Sequence, residues 1–272
     1  MSASETPSAP HYLANDGAAY ERFLGRWSER LAAPFAAFAR VPAGDVLDVG
    51  CGTGSLAGHL ARARRRGAVV GVDVAEPYIA FARKRAGAEA VRFEVGDAAG
   101  LSFADGTFAG ALAQLVLNFL PDAAAGVREM RRVTRAGGVV AAAVWDFRGG
   151  LVFQRLLWDT AAGVDPAAAA HRARLFSHPL AQPDGLVELW RRLGFAAVEG
   201  GSLTIRMDFA SFADYWEPLL AGQGPVGAYV AGLSPAVRGA IEARVRDAYL
   251  AGGEDGRRSM TATAWAVRGI VP

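Results

Sequence analysis

The residues with the most chemical potential are three carboxylates around one glycine-rich turn: Asp48, Asp73 and Asp97 around Gly50-Cys51-Gly52-Thr53-Gly54. Such a turn between a strand and a helix lets a ligand approach the backbone and the helix N-terminus, which alone specifies only something nucleotide-like. The spacing is G-x-G-x-G, and Ser55 stands where a dinucleotide fingerprint has its third glycine. Asp48 lies two residues before Gly50. A carboxylate there repels a pyrophosphate but accepts hydrogen bonds from the ammonium of an amino-acid-bearing nucleoside. Asp73, nineteen residues after Gly54, is placed to take both ribose hydroxyls, a feature shared with NAD enzymes. Asp97, in Gly96-Asp97-Ala98, suits the exocyclic amine of adenine. Singly, each aspartate reads most simply as a turn or cap residue; together with the glycines they read as a site for a cationic nucleoside. Cys51 reads as a small residue in a cramped turn, with no basic neighbour in sequence to activate its thiol.

These side chains require strands that end beside one another. Tyr20, Phe23, Leu24, Trp27, Leu31, Phe35 and Phe38 recur at helical spacing, predicting an amphipathic helix over Ala18 to Arg40 that Pro34 breaks or kinks. Strands are expected at Asp45 to Val49, Val69 to Val74, Val91 to Val95, Phe108 to Leu115 and Val139 to Trp145. Between them fall a helix from the glycine turn to about Arg66 with Gly67 as its cap, one from Pro77 to Arg85, and one from Ala123 to Thr134 ended by Gly137-Gly138. Strands alternating with helices imply a parallel sheet covered on both faces. Beyond Trp145 the rhythm changes. A helix capped by Asp165-Pro166, another from Asp184 to Leu193, a strand from Ala197 to Met207, a helix from Ser234 to Leu250 and a strand from Thr261 to Val271 are expected. Insertions over about 147–185 and 208–257 are the material for a helical cap over the strands' carboxyl ends.

The 272 residues, 52% apolar and 21% charged, suit a loose tail over 1–17 and a single domain over 18–272, its cofactor-binding core at 41–146. With Cys51 the lone cysteine, neither a disulfide nor a Cys-rich metal site can form, and no metal is expected. The longest apolar stretch, Val139 to Trp145, is too short for a bilayer and residues 1–17 lack a signal-peptide pattern, so a cytoplasmic protein without a membrane span is expected. The formal net charge is +2. The basic runs Arg62 to Arg66 and Arg83-Lys84-Arg85 fall in last turns of helices, where cations meet the dipole, and are read as solvated ends rather than a nucleic-acid face.

The stretches VLDVGCGTG (Val46–Gly54), VVGVDVAEPYIAFAR (Val69–Arg83), FEVGDAAGLSFADGTFAGALAQLVLNFLPD (Phe93–Asp122) and REMRRVTRAGGVVAAAVW (Arg128–Trp145) carry a resemblance. Over roughly residues 18–146 the chain resembles the class I S-adenosylmethionine-dependent methyltransferases, especially the small-molecule group related to the ubiquinone and menaquinone C-methyltransferases. The resemblance implies an α/β, Rossmann-like, seven-stranded, mostly parallel sheet with an antiparallel last strand, and S-adenosyl-L-methionine lying over the first, second and fourth strands. The expected cofactor site is Tyr20, Asp48, Gly50, Cys51, Gly52, Gly54, Asp73, Val74, Asp97, Ala98 and Leu115, with Tyr20 and Trp27 closing over it. Two departures are visible: Ala109 follows Phe108 where such proteins often have Asp, and Asn118-Phe119 stands where many carry a His pair.

A sulfonium methyl is already activated, so no catalytic base is obligatory; His171, His178, Asp146 and Tyr215 are the candidates should one be used. The insertions are rich in aromatic residues, which suits a small, partly apolar or aromatic acceptor reacting at O, N or C. Its expected contacts are Asn118, Phe119, Trp145, Phe147, His178, Tyr215 and Trp216. The chain lacks the Asn/Asp-Pro-Pro-aromatic box of amino-methylating nucleic-acid enzymes, and no nucleic-acid partner is expected; a homodimer stays open. The alternatives are an NAD-dependent oxidoreductase, disfavoured by Asp48 and Ser55, a catalytically inactive cofactor-binding protein, and different chemistry with the same cofactor.

Overall fold

The computed structural model describes residues 16–63, 67–85 and 87–272. Its strands are β1 (Val46–Val49), β2 (Val69–Asp73), β3 (Val91–Val95), β4 (Phe108–Gln114), β5 (Thr134–Trp145), β6 (Ala196–Phe209) and β7 (Arg258–Ile270). They form one seven-stranded sheet in the order β3-β2-β1-β4-β5-β7-β6. Strands β1 to β5 pair in parallel, and β7 runs antiparallel to both of its neighbours, β5 and β6. Every residue of β1 and β4 is buried, as expected of short apolar strands covered on both faces. From β1 the chain steps outward to β3 and then returns to β4 on the other side. The strand order therefore reverses between β1 and β4, which opens a crevice at their carboxyl ends.

The first half contributes the helices α1 (Gly17–Tyr20), α2 (Arg26–Ala39), α3 (Ser55–Ala63), α4 (Glu76–Ala82) and α5 (Ala123–Val133). The second half contributes α6 (Val152–Ala161), α7 (Pro166–Phe176), α8 (Gly185–Arg192), α9 (Phe212–Leu220), α10 (Gly224–Gly232) and α11 (Pro235–Leu250). Helices α2, α3 and α4 join the core on one face of the sheet through Leu31, Phe35, Leu56 and Ile79, while α5 and α8 build the core on the other through Val127, Met130 and Trp190. Trp190 is fully buried with its polar tip satisfied, the indole N–H donating to the Val140 carbonyl at 3.0 Å.

The N-terminal segment differs from the expectation at two places. Pro34 does not break the helix but sits inside α2. Leu31, Ala32, Phe35 and Ala39 around it are fully buried, and burying such a stripe outweighs the roughly 3 kcal/mol of a helical proline. Arg30, whose carbonyl the proline leaves without its helical donor, is exposed. The departure from α geometry comes earlier, as a π turn over Glu21–Gly25. Of the expected tail, residues 1–15 lie outside the described residues, whereas Asp16 caps α1, its carboxylate accepting from the backbone N–H of Ala18 and Ala19. Arg64, Arg65 and Arg66 also lie outside the described residues. Strand β5 begins at Thr134, directly after α5, because Thr134 pairs with Phe108 and Val139 with Gly110, leaving 135–138 as a bulge.

Helices α6, α7, α9, α10 and α11 gather beside the carboxyl end of β5 and against β6 and β7, with α6 lying along α11. Helices α9 and α10 were not anticipated from the sequence pattern. Tyr215 and Trp216 on α9 are each 2% exposed and belong to this core. The Tyr215 hydroxyl donates to the Phe153 carbonyl at 2.8 Å, and its ring meets Phe153, Phe209, Phe212 and Tyr249. Trp27 packs on Phe209 of β6 with ring centroids 5.4 Å apart, so it braces α2 against the sheet rather than closing over a ligand. Arg26 ties the same helix to α9 by an ion pair with Asp214 at 2.7 Å.

Candidate active site

The glycine turn leaves β1 and folds back on β2. The backbone N–H groups of Gly50 and Cys51 both donate to the Val72 carbonyl, at 2.8 and 3.0 Å. Gly50 and Gly52 have φ of +69° and +53°, the left-handed region where a side chain is strained. A Cβ on Gly50 would strike Val116, whereas one on Gly52 would project where no protein atom lies within 4 Å. Asp73, the last residue of β2, anchors the turn: one carboxylate oxygen accepts from the Gly52 N–H and the other from the Ala75 N–H, both at 2.8 Å. Burial raises its pKa. Asp48 is 2% exposed and accepts from the Ala57 N–H in the first turn of α3 at 2.9 Å. Burial pushes its carboxyl up to about 8, with the Asp73 charge adding to the rise. Asp97 stands in the loop after β3, accepting from the Ala99 N–H at 2.9 Å.

A cavity of about 360 Å³ opens over these strand ends, within the range of small-molecule sites. Gly50, Gly52, Asp73, Val74, Asp97, Ala98 and Leu115 line it. A smaller hollow of about 30 Å³ continues beneath the turn, bounded by Asp48, Cys51, Ser55 and Gln114. Tyr20 borders both, its ring 5.0 Å from that of Tyr78 and its phenol pushed up to about 12 by burial. Glu21, in the π turn, places Tyr20 there: its carboxylate accepts from the Thr53 hydroxyl of the glycine turn and pairs with Arg85 at 2.8 Å. Gln114 donates to the Ser28 carbonyl at 2.9 Å, leaving its side-chain oxygen buried with no partner among the described residues, as is the Ser55 hydroxyl. Buried polar atoms without partners are costly unless a ligand satisfies them. The orphaned oxygens, the buried Asp48 and the open side of Gly52 fit the amino-acid end of S-adenosylmethionine. Asp73 and Asp97 fit its ribose and adenine.

A second cavity, about 30 Å³, shares Tyr20, Leu115 and Phe119 with the first. Phe23, Leu24, Trp145, Phe147, Leu175, Pro225 and Val226 extend its apolar wall, and among the described residues Gln154 is its one amide side chain. Leu115 at the junction holds φ +65°, an unusual conformation for leucine, pinned by its N–H donating to the Ala143 carbonyl at 2.8 Å.

Several expected residues fall elsewhere. Gly54 borders neither cavity; it leaves room for the Phe93 ring, which a Cβ would approach to 2.9 Å. Asn118, on the short 3-10 turn Leu117–Phe119, lines neither cavity, whereas its neighbour Phe119 lines both. His178 is held at the start of the turn Pro179–Ala181, accepting from the Leu180 N–H at 3.3 Å. Tyr215 and Trp216 are consumed by the cap's core. The other base candidates also lie outside: His171 stacks on Trp158, and Asp146 accepts from the N–H groups of Arg148 and Gly149. Sequence reasoning missed Tyr78, Gln114 and Gln154. Gln114 carried a signal as the polar end of the apolar strand FAGALAQ, and Gln154 as a polar residue spaced with Leu151, Leu157 and Ala161 on one helical face. In the basic runs, Arg62 and Arg85 pair with Glu29, and Arg83 donates to the Phe93 carbonyl.

Comparison with known proteins gives the family. A family model described as a methyltransferase domain matches residues 46–138. The demethylmenaquinone methyltransferase of Roseiflexus castenholzii is 37% identical over 169 residues, covering 57% of this chain and 69% of that protein. The nocamycin O-methyltransferase of Saccharothrix syringae is 30% identical over 173 residues, covering 58% and 61%. In fold, the chain is similar to phosphoethanolamine N-methyltransferase 2 of Haemonchus contortus in complex with S-adenosyl-L-methionine, with a TM-score of 0.56 and 15% identity over 96% of this chain and 57% of that one. Neither NAD-dependent oxidation nor an inactive binding protein is favoured by these relatives. The chain belongs to the class I S-adenosylmethionine-dependent methyltransferases, with S-adenosylmethionine as its cofactor.

Proposed function

We propose that the enzyme methylates a small, partly apolar or aromatic acceptor at O, N or C, in the cytoplasm and without a nucleic-acid partner. The observation carrying this reading is the apolar cavity adjoining the cofactor cavity at Tyr20, Leu115 and Phe119. Among the described residues, no helix is long and apolar enough to cross a membrane.

In this reading Asp73 holds the ribose hydroxyls, Asp97 the adenine amine, and Asp48, Ser55 and Gln114 the amino-acid end, with Gly50, Cys51 and Gly52 letting the backbone approach. When bound, the cofactor supplies an electrophilic methyl group. Tyr20, Leu115 and Phe119 separate it from bulk water and align the acceptor, whose nucleophile must approach to about 3 Å. Among the described residues, no charged side chain lines the acceptor cavity. Its walls therefore work by orientation and water exclusion, and the acceptor brings its own nucleophilicity. A volume of about 30 Å³ holds only one or two water-sized groups, so entry of an acceptor requires the walls of this cavity to move apart.

The test is incubation with S-adenosylmethionine labelled in its methyl group and a panel of phenols, hydroquinones, amines and carboxylic acids, with tRNA as comparison. Label recovered in a small apolar product is expected. Label in tRNA alone would overturn the reading.

A further inference from the structure

Gln154 is unusual within the acceptor cavity. It is 7% exposed, lies on the buried face of α6, and lines a cavity otherwise walled mostly by aromatic and aliphatic side chains. Its backbone N–H is used by the helix, donating to the Leu151 carbonyl at 3.1 Å, but its side-chain amide has no hydrogen-bond partner among the described residues. The other buried glutamines are engaged: Gln114 with the Ser28 carbonyl, and Gln223 with the Tyr78 hydroxyl and the Ala221 carbonyl. On the same wall, the indole N–H of Trp145 is buried without a partner. A largely buried amide without a protein partner, opening onto a mostly apolar cavity where a leucine would pack, calls for a ligand group to pair with it.

We propose that Gln154 is the specificity-determining residue of the acceptor cavity, reading a neutral hydroxyl or carbonyl on an otherwise apolar ring. An amide both donates and accepts, so it pairs with a hydroxyl or a carbonyl without needing charge. An acceptor carrying a carboxylate, phosphate or ammonium meets no countercharge among the described residues of this wall and is disfavoured by desolvation. An acceptor lacking any polar group leaves the amide unpaired, which is the stronger form of discrimination in buried sites. The inference rests on the reading of this cavity as the acceptor site and narrows it to uncharged, oxygen-bearing ring compounds.

Phenol, toluene and benzoate are matched probes: one ring with a neutral hydroxyl, with an apolar group of similar size, or with a charge. Their affinities for the full chain saturated with S-adenosylhomocysteine can be compared by ligand-detected NMR titration, for wild type and for Gln154→Leu. Wild type should bind phenol at least tenfold more tightly than toluene or benzoate. The variant should bind phenol and toluene within about threefold of one another, with its S-adenosylhomocysteine affinity unchanged. Wild type binding phenol no more tightly than toluene, including binding neither, overturns the proposal, as does a variant that keeps the tenfold preference. Methyl transfer to apolar acceptors together with an unchanged preference in Gln154→Leu would sink the role of Gln154 while leaving the acceptor cavity standing. Failure of wild type to bind S-adenosylhomocysteine would sink both.

Discussion

Glycines and carboxylates from the ends of β1 to β3 line much of the cofactor cavity, whereas aromatic and aliphatic side chains from the N-terminal helices, β5 and the cap line the acceptor cavity. The first keeps charge under cover. Asp48 and Asp73 are desolvated, and the backbone N–H groups of Ala57, Gly52 and Ala75 hold their oxygens in place. The second excludes charge and offers shape. The contrast teaches that a cationic cofactor calls for carboxyl groups held in place by backbone N–H groups despite the cost of burying them, while an acceptor is aligned by walls that exclude water. Tyr20, Leu115 and Phe119 belong to both, so substitutions there and on either side should separate the two functions.

The largest effect is expected at Asp73. Asp73→Ala removes a charged acceptor for two hydroxyls and should weaken S-adenosylhomocysteine binding by about 100-fold, read by calorimetry; an affinity within twofold of wild type would break the assignment. Asp48 comes next through its pH dependence. Its carboxyl, at about 8, is mostly protonated at pH 7 in the cofactor-free enzyme. Closing an ammonium on it favours the carboxylate, so S-adenosylmethionine binding should release close to one proton at pH 7 and progressively fewer as the pH rises through 8, measured in buffers of different ionisation enthalpy. Because the folded pKa is raised, its contribution to folding is complete below about pH 4 and is lost as pH rises through 8. Cofactor-free Asp48→Asn should therefore lose less thermal stability than wild type between pH 6 and 9; parallel curves would contradict the burial argument.

At the shared wall, Phe119→Ala should lower kcat/KM for the acceptor about tenfold while S-adenosylhomocysteine affinity changes less than threefold. A larger loss on the cofactor side would move Phe119 out of the acceptor wall. The smallest effect is expected in the cap. Tyr215→Phe leaves the Phe153 carbonyl without its donor and should cost about 1–2 kcal/mol of stability with KM for the acceptor unchanged. A raised KM would return Tyr215 to the acceptor site.

The legibility of these two regions differs for a physical reason. The grouping of Asp48, Gly50, Gly52, Asp73 and Asp97 at one end of the sheet was readable because their positions are set within a few residues, by a turn that needs positive φ and by strand ends that parallel pairing brings side by side. Asp73 could be placed before any coordinates because β2 must end where β1 ends. Gly54 was misplaced because its Cβ position is decided by Phe93, thirty-nine residues away. Tyr215 and Trp216 carried the right chemistry for an acceptor pocket, but an aromatic residue in an amphipathic helix packs equally well on either side, and only the docking of α6, α9 and α11 decided that these two face the cap's interior, while His178 is spent at the start of the turn Pro179–Ala181.

By itself, then, the sequence determined the strands and helix flanking the glycine turn, the carboxylates at the strand ends and the class of cofactor, since each follows from local backbone geometry and charge. Tertiary structure alone decided which residues meet at the acceptor cavity. Tyr20, Phe119, Trp145, Gln154 and Val226 come from five separate elements, and no spacing along the chain encodes the side on which packed helices present them.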